Sequence, residues 1–231
     1  LLVGIVGIVI VYWIQPSKDD FSVRSDLILP TESTFLNRPK FLTQIESHLK
    51  EQSGIKTIAL VGPGGSGKTT LARQYAHQQK GTVWEINAET DESVKLSFWN
   101  LAHTLAKTEQ DKEKLREIED IKNLSEKEEK GLQFIKEGLR AHSNWTLIYD
   151  NVEKLADIGK FFPGDFKTWG EGSVLVTTRN PHIQNSKLVH SMLAVEELNP
   201  EEKLILFTKI MEKGSQSIAK IVDTKEIKEF L

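Results

Sequence analysis

The chain has 231 residues, 39% hydrophobic and 27% charged, which suits one large globular domain or a domain with part of another. A formal net charge of -3 at pH 7 gives no basic excess of the kind that draws nucleic acid. The absence of cysteine excludes disulfides and thiolate metal sites, and the six histidines show no paired metal-ligand spacing.

Leu1 to Ile14, LLVGIVGIVIVYWI, is uncharged and almost wholly apolar. As a helix it would be about 21 Å long. That is short of the roughly 30 Å of a bilayer core, so residues before Leu1 would be needed to complete a span. Tyr12 and Trp13 stand where interfacial aromatics belong. The leading expectation is a truncated transmembrane helix over residues 1–15. A signal-peptide core is disfavoured because no A-x-A-like site follows. A buried β-rich segment stays open, since Val and Ile are strand formers. Residues 16–33 mix charge with scattered apolar side chains and read as a linker. Both ends of the chain read as cut.

Pro39 to Gln52 has Phe41, Leu42, Ile45 and Leu49 on one helical face. Lys56 to Val61 is a short apolar strand. A helix is expected from Gly67 to Gln79, with Leu71, Ala72 and Tyr75 inward. Thr82 to Ala88 alternates as a strand does, and Ser93 to Ala106 is helical through Phe98, Leu101, Ala102 and Leu105. Lys107 to Lys130 is dominated by charge and reads as a solvated helical excursion. Ser125 and Glu128 suggest a capping box for a helix to Ala141. Asn144 to Asn151 and Gly172 to Asn180 are buried strands with polar ends, and a shorter strand falls near Met192 to Val195. Asn199, Pro200 and Glu202 occupy the N-cap, N1 and N3 positions of a further helix. Strands alternating with helices predict an α/β fold with a parallel sheet covered on both faces.

Gly62-Pro63-Gly64-Gly65-Ser66-Gly67-Lys68-Thr69 matches G-x-x-x-x-G-K-[ST] between a strand and a helix. Glycines let the backbone approach a ligand closely. The exposed N–H groups then form an anion nest, and the helix dipole points at the same place. Lys68 supplies a mobile positive charge for the outer phosphates, and the Thr69 hydroxyl suits Mg2+. Thr70 is placed for a further phosphate or backbone contact. A second Mg2+ ligand is expected at the end of a neighbouring strand, and Asp150 closes the apolar run WTLIYD. No [NT]-K-x-D guanine-reading loop is present, so an adenine nucleotide, ATP or ADP, is favoured.

Taken in order, these segments resemble the NB-ARC group of STAND NTPases, the nucleotide switches of plant immune receptors, apoptotic scaffolds and bacterial regulators. FLNRPKFLTQIESHL resembles the family's opening motif beside the adenine, with Asn37 in place of the usual glycine and Arg38 kept. LVGPGGSGKTTLARQYA resembles its P-loop, VWEINAET the strand that follows, and LIYDNVE its Walker B strand. GSVLVTTRN resembles the strand whose terminal arginine, here Arg179, senses the γ-phosphate. LAVEELNPEEKLILFTKI resembles the lead into the first helical subdomain. The resemblance implies a three-layer P-loop NTPase domain over residues 34–198 and the start of a helical, ARC-like subdomain over 199–231. It also implies a strand lying between the Walker A and Walker B strands.

The family often places a second acid after the Mg2+ aspartate; this chain has Asn151. An amide orients water but takes no proton, and Glu153 is the nearest substitute in sequence. The expected function is therefore an ATP/ADP switch with slow or weak hydrolysis. Lys68, Asn151 and Arg179 would be its catalytic set. Its partners would be an adenine nucleotide and, on activation, a protein or a second copy. It would be membrane-anchored, with the nucleotide domain in the cytoplasm. The alternatives are an AAA-type motor, which calls for the Walker B glutamate missing here, and a non-hydrolysing nucleotide-binding scaffold. A small-molecule kinase would need a lid, and no such segment stands out.

Overall fold

The computed structural model describes residues 22–29, 36–50, 54–142 and 144–222. The strands are β1 (Val23–Arg24), β2 (Ile55–Val61), β3 (Thr82–Asn87), β4 (Trp145–Asp150), β5 (Gly172–Thr178) and β6 (Ser191–Ala194). The helices are α1 (Pro39–Lys50), α2 (Lys68–His77), α3 (Asp91–Leu105), α4 (Glu109–Glu119), α5 (Leu124–Ala141), α6 (Phe166–Trp169) and α7 (Pro200–Val222). The strands form one sheet in the order β1-β3-β4-β5-β2-β6, with every pair parallel. The chain is an α/β P-loop NTPase fold, and β5 is the strand expected between the Walker A strand β2 and the Walker B strand β4.

Strand side chains alternate between the two faces, and each face has its own helical cover. Ile58, Leu60, Ile148 and Leu175 pack under α1 and α2 against Ile45, Leu49, Leu71, Ala72 and Tyr75. Ala59, Leu147, Tyr149, Val174 and Val176 pack on the other side against Phe98, Leu101 and Leu105 of α3 and Ile135 and Leu139 of α5. Apolar residues on both faces are what a covered parallel sheet demands.

Three expectations are corrected. The stretch 16–33, read as a linker, supplies the edge strand β1. Val23 is 1% exposed and aligns with Thr82. The Arg24 guanidinium donates to the carbonyls of Ala76, His77 and Gln79 at the end of α2. A two-residue strand leaves no periodicity to read, and only the unpaired edge of β3 makes it a strand. The charged stretch 107–130 is not wholly solvated. Thr108 and Asp111 box the start of α4, and Leu115 and Ile118, three apart on one face, enter the core. The cap of α5 is Asn123, whose side-chain oxygen accepts from the N–H groups of Ser125 and Glu126. The Glu128 carboxylate instead reaches Lys160 at 3.0 Å.

The expected cap of α7 holds. Asn199 N–H donates to Glu202 Oε2, and Glu202 N–H donates to Asn199 Oδ1. The segment 1–15, read as a membrane helix, lies outside the described residues. Among the described residues no helix is long and apolar enough to cross a membrane.

Candidate functional site

Parallel register brings the ends of β2, β5 and β4 to one edge of the sheet. Val61 lies beside Thr178, and β4 ends at Asp150 beside Asn87 of β3. The glycine loop leaves β2 at that edge. A Cβ on Gly62 would stand 2.1 Å from the Val195 carbonyl oxygen, so only glycine lets the loop start this close to the strand end at β6. Gly67 caps α2 at φ +87°, in the left-handed region that side chains resist. The first turn of α2 then opens on the space above the loop with its N–H groups unpaired by the helix.

Lys68 is 8% exposed and folds over the loop. Its Nζ donates to the Gly62 carbonyl at 2.9 Å and the Pro63 carbonyl at 2.7 Å. Burial lowers its pKa, and the nearby Arg179 charge lowers it further, against a smaller opposite pull from Asp150. Arg179 follows β5 and lies across the loop: a Cβ on Gly64 would be 3.3 Å from its Cζ. Two cations thus lie close together at the loop, with the Asp150 carboxylate near enough for Lys68 to feel its charge. An anion entering here would relieve the repulsion between Lys68 and Arg179.

Asp150 and Thr69 meet directly. Thr69 Oγ1 donates to Asp150 Oδ1 at 2.7 Å, and Thr177 Oγ1 donates to the same oxygen at 2.6 Å. A hydroxyl and a carboxylate in contact are hard oxygen donors suited to Mg2+. Among the described residues no cluster of three metal-ligating side chains forms. Phosphate oxygens and water would have to complete an octahedral shell, as is usual for this ion.

Asn151 adopts φ +64°, a conformation asparagine tolerates better than most residues. Its N–H donates to Thr177 Oγ1 at 2.9 Å. It lines a cavity of about 510 Å³ with Glu89, Glu153, Arg179 and Asn180. The expected pair Asn151 and Arg179 therefore face one space, and Glu153 joins them.

Arg38 lies on the other side of the loop. It donates to the carbonyls of Ser66 at 3.2 Å and Glu196 at 3.4 Å, and its Nε donates to Glu202 Oε1 at 3.2 Å. The guanidinium also covers the Phe41 ring at 4.3 Å. One side chain so ties the glycine loop to the first turn of α7. With Gly65, Ser66, Gly67, Thr70 and Leu198, Arg38 lines a second cavity of about 180 Å³. Thr70 thus borders this second cavity.

Three residues here were not singled out from the sequence. Thr177 holds Asp150 and Asn151 together; its only signal was a polar residue near the end of an apolar strand. Glu89 and Gln74 line the two cavities. Each lies within a stretch compared with the family above, but its place beside a cavity depends on which strand and helix stand beside the loop.

The NB-ARC domain family matches residues 38–217. Among characterised proteins, the chain is 25% identical over 182 residues to disease resistance-like protein DSC2 of Arabidopsis thaliana, covering 72% of this chain and 14% of that protein. It is 28% identical over 181 residues to disease resistance protein RPV1 of Vitis rotundifolia, covering 72% of this chain and 12% of that protein. The chain therefore spans less than a sixth of the length of these relatives. Among solved structures, it resembles the Signal Transduction ATPase with Numerous Domains (STAND) protein with a tetratricopeptide repeat sensor from Pyrococcus horikoshii. That likeness has a TM-score of 0.50 and 20% identity, and covers 85% of this chain and 28% of that one. At this identity it speaks for the fold.

Proposed function

The chain belongs to the NB-ARC domain family, and from that premise we propose that it is an ATP/ADP switch of the STAND type with slow hydrolysis. Nucleotide binding goes with the family, and the site has the parts it needs. The backbone amides of the loop and α2 receive the phosphates, and Lys68 swings from its two carbonyls to the outer ones. Arg179, lying over Gly64, meets the terminal phosphate. Thr69 and Asp150 would hold Mg2+, which would neutralise phosphate charge. The single observation that carries this reading is the 2.7 Å contact between Thr69 and Asp150, two oxygen donors that one ion could share.

Slow turnover follows from the side chain after Asp150. Asn151 can hold a water by hydrogen bonds but cannot accept its proton. A nucleotide that stays bound suits a device whose output is conformation. ADP lacks the phosphate that Arg179 and Lys68 would grip, so the two nucleotides have different interaction energies with the same site. Moving an equilibrium from 1:99 to 99:1 takes about 5.5 kcal/mol of differential affinity. The bonds from Arg38 to Ser66 and Glu202 offer a route from the glycine loop to α7. Activation by self-association or a protein partner completes the proposal, as does a membrane tether through residues 1–15 with the nucleotide domain in the cytoplasm.

The test is nucleotide binding by Lys68→Ala in the full chain, read by fluorescent ATP and ADP titration. The expected result is loss of most affinity for both nucleotides. Affinity equal to the parent's would refute the phosphate assignment. Fractionation with and without residues 1–15 tests the tether: a long form that stays wholly in the soluble fraction removes it.

A further inference from the structure

Gln74 lies on the second turn of α2, on the far side of the glycine loop from Asp150. It is 4% exposed and lines the cavity of about 180 Å³ with Arg38, Ser66, Gly67 and Thr70. Its Nε2 donates to the Leu36 carbonyl at 3.2 Å, and its Oε1 is buried with no hydrogen-bond partner among the described residues. Four buried side-chain polar atoms lack partners among the described residues. One of them, Gln74 Oε1, belongs to a side chain that lines this cavity, whereas the Ser66 hydroxyl lies on the Gly62 side of the loop. Buried polar atoms are nearly always satisfied, so an orphaned amide oxygen on a side chain that lines the cavity points to a polar ligand.

We propose that Gln74 determines base specificity: its amide oxygen accepts a hydrogen bond from the exocyclic amine of adenine and so selects adenine over guanine nucleotides. This rests on the reading of the neighbouring loop as a nucleotide-phosphate site, and assigns the base to the adjoining cavity. The orientation of the amide is fixed by chemistry. The Leu36 carbonyl can only accept, so the amide must turn its NH2 group there and keep its oxygen for another donor. Adenine presents an amine at its six position, and guanine presents a carbonyl. With guanine, two acceptors would face each other. Rotating the amide to suit guanine would set its oxygen against the Leu36 carbonyl, so the mismatch moves without disappearing. Either arrangement leaves a buried acceptor unpaired, which is the kind of penalty that yields strong discrimination.

The experiment compares Kd for ADP, GDP and purine riboside diphosphate, which lacks the exocyclic amine, in the parent chain and in Gln74→Met. The parent is expected to bind ADP at least about tenfold more tightly than either of the others. Gln74→Met, similar in shape but without the amide, should bring ADP down to the level of purine riboside diphosphate and leave that nucleotide unchanged. A purely structural role for Gln74 would weaken all three alike and would overturn the proposal. So would an ADP preference that survives in Gln74→Met. The comparison of ADP with purine riboside diphosphate in the parent chain needs no variant: equal affinity there also overturns the proposal while leaving the phosphate site intact. Failure of the parent to bind any of the three would instead remove the phosphate reading, and this proposal with it.

Discussion

Replacing Asp150 with asparagine separates the two jobs its carboxylate performs. Oδ1 accepts from Thr69 at 2.7 Å and from Thr177 at 2.6 Å. An amide oxygen can still accept both bonds, but without charge. Bonds to a charged group contribute about 1.5–3 kcal/mol and neutral ones about 0.5–1.5 kcal/mol. Two such bonds therefore lose roughly 2–3 kcal/mol. For a domain of this size each kcal/mol moves Tm by about 2–4 °C, so the free protein should melt roughly 5–10 °C lower. The second job is the metal. ATP at 100 times its Kd stabilises the folded state by about 2.7 kcal/mol, and part of that depends on Mg2+. Differential scanning fluorimetry with ATP in Mg2+ and in EDTA reads both effects. The parent should gain more from ATP with Mg2+ than without it. Asp150→Asn should gain equally little in both. A variant that keeps the parent's Mg2+-dependent increment would refute the assignment of Asp150 as a group that would hold the metal.

Gly62→Ala would force its Cβ into the Val195 carbonyl oxygen, 2.1 Å away, and would push apart the strand end that Val195 N–H ties to the Val61 carbonyl at 2.7 Å. A loss of roughly 1–3 kcal/mol is expected, with weaker nucleotide binding; an unchanged urea midpoint would contradict the close approach. Asn151→Asp keeps a residue that tolerates φ +64° and adds a proton acceptor to the cavity shared with Arg179. Its single-turnover ATP hydrolysis should rise by about tenfold or more. A fall would mean that the Asn151 amide itself holds the attacking water.

Much of the site was legible because its chemistry is contiguous. The eight positions Gly62 to Thr69 specify a strand exit, a left-handed cap and a helix start by local backbone preference alone. Asp150 stood out as the acid ending an apolar run, while Arg179 was singled out only by the resemblance of GSVLVTTRN to the family's strand. The cap of α7 could be read from Asn199 and Glu202 because a capping box spans only four residues. The misreadings have the opposite character. Val23 and Arg24 become a strand only because β3 offers an open edge, and Leu115 and Ile118 become core only because α3 and α5 pack against α4.

The amino-acid order by itself determined the nucleotide loop, the alternation of apolar strands with helices, and the acid that ends one of those strands. Local dihedral preferences and side-chain periodicity are properties of neighbouring residues, so they survive without the fold. The tertiary structure alone decided that Thr177 would hold Asp150 and Asn151 together, that Arg38 would join the loop to Glu202, and that the Gln74 oxygen would be left unpaired among the described residues. These contacts join groups distant along the chain. Which of them meet depends on strand order and helix packing, and hydrogen-bond satisfaction can be judged only once every neighbour is in place.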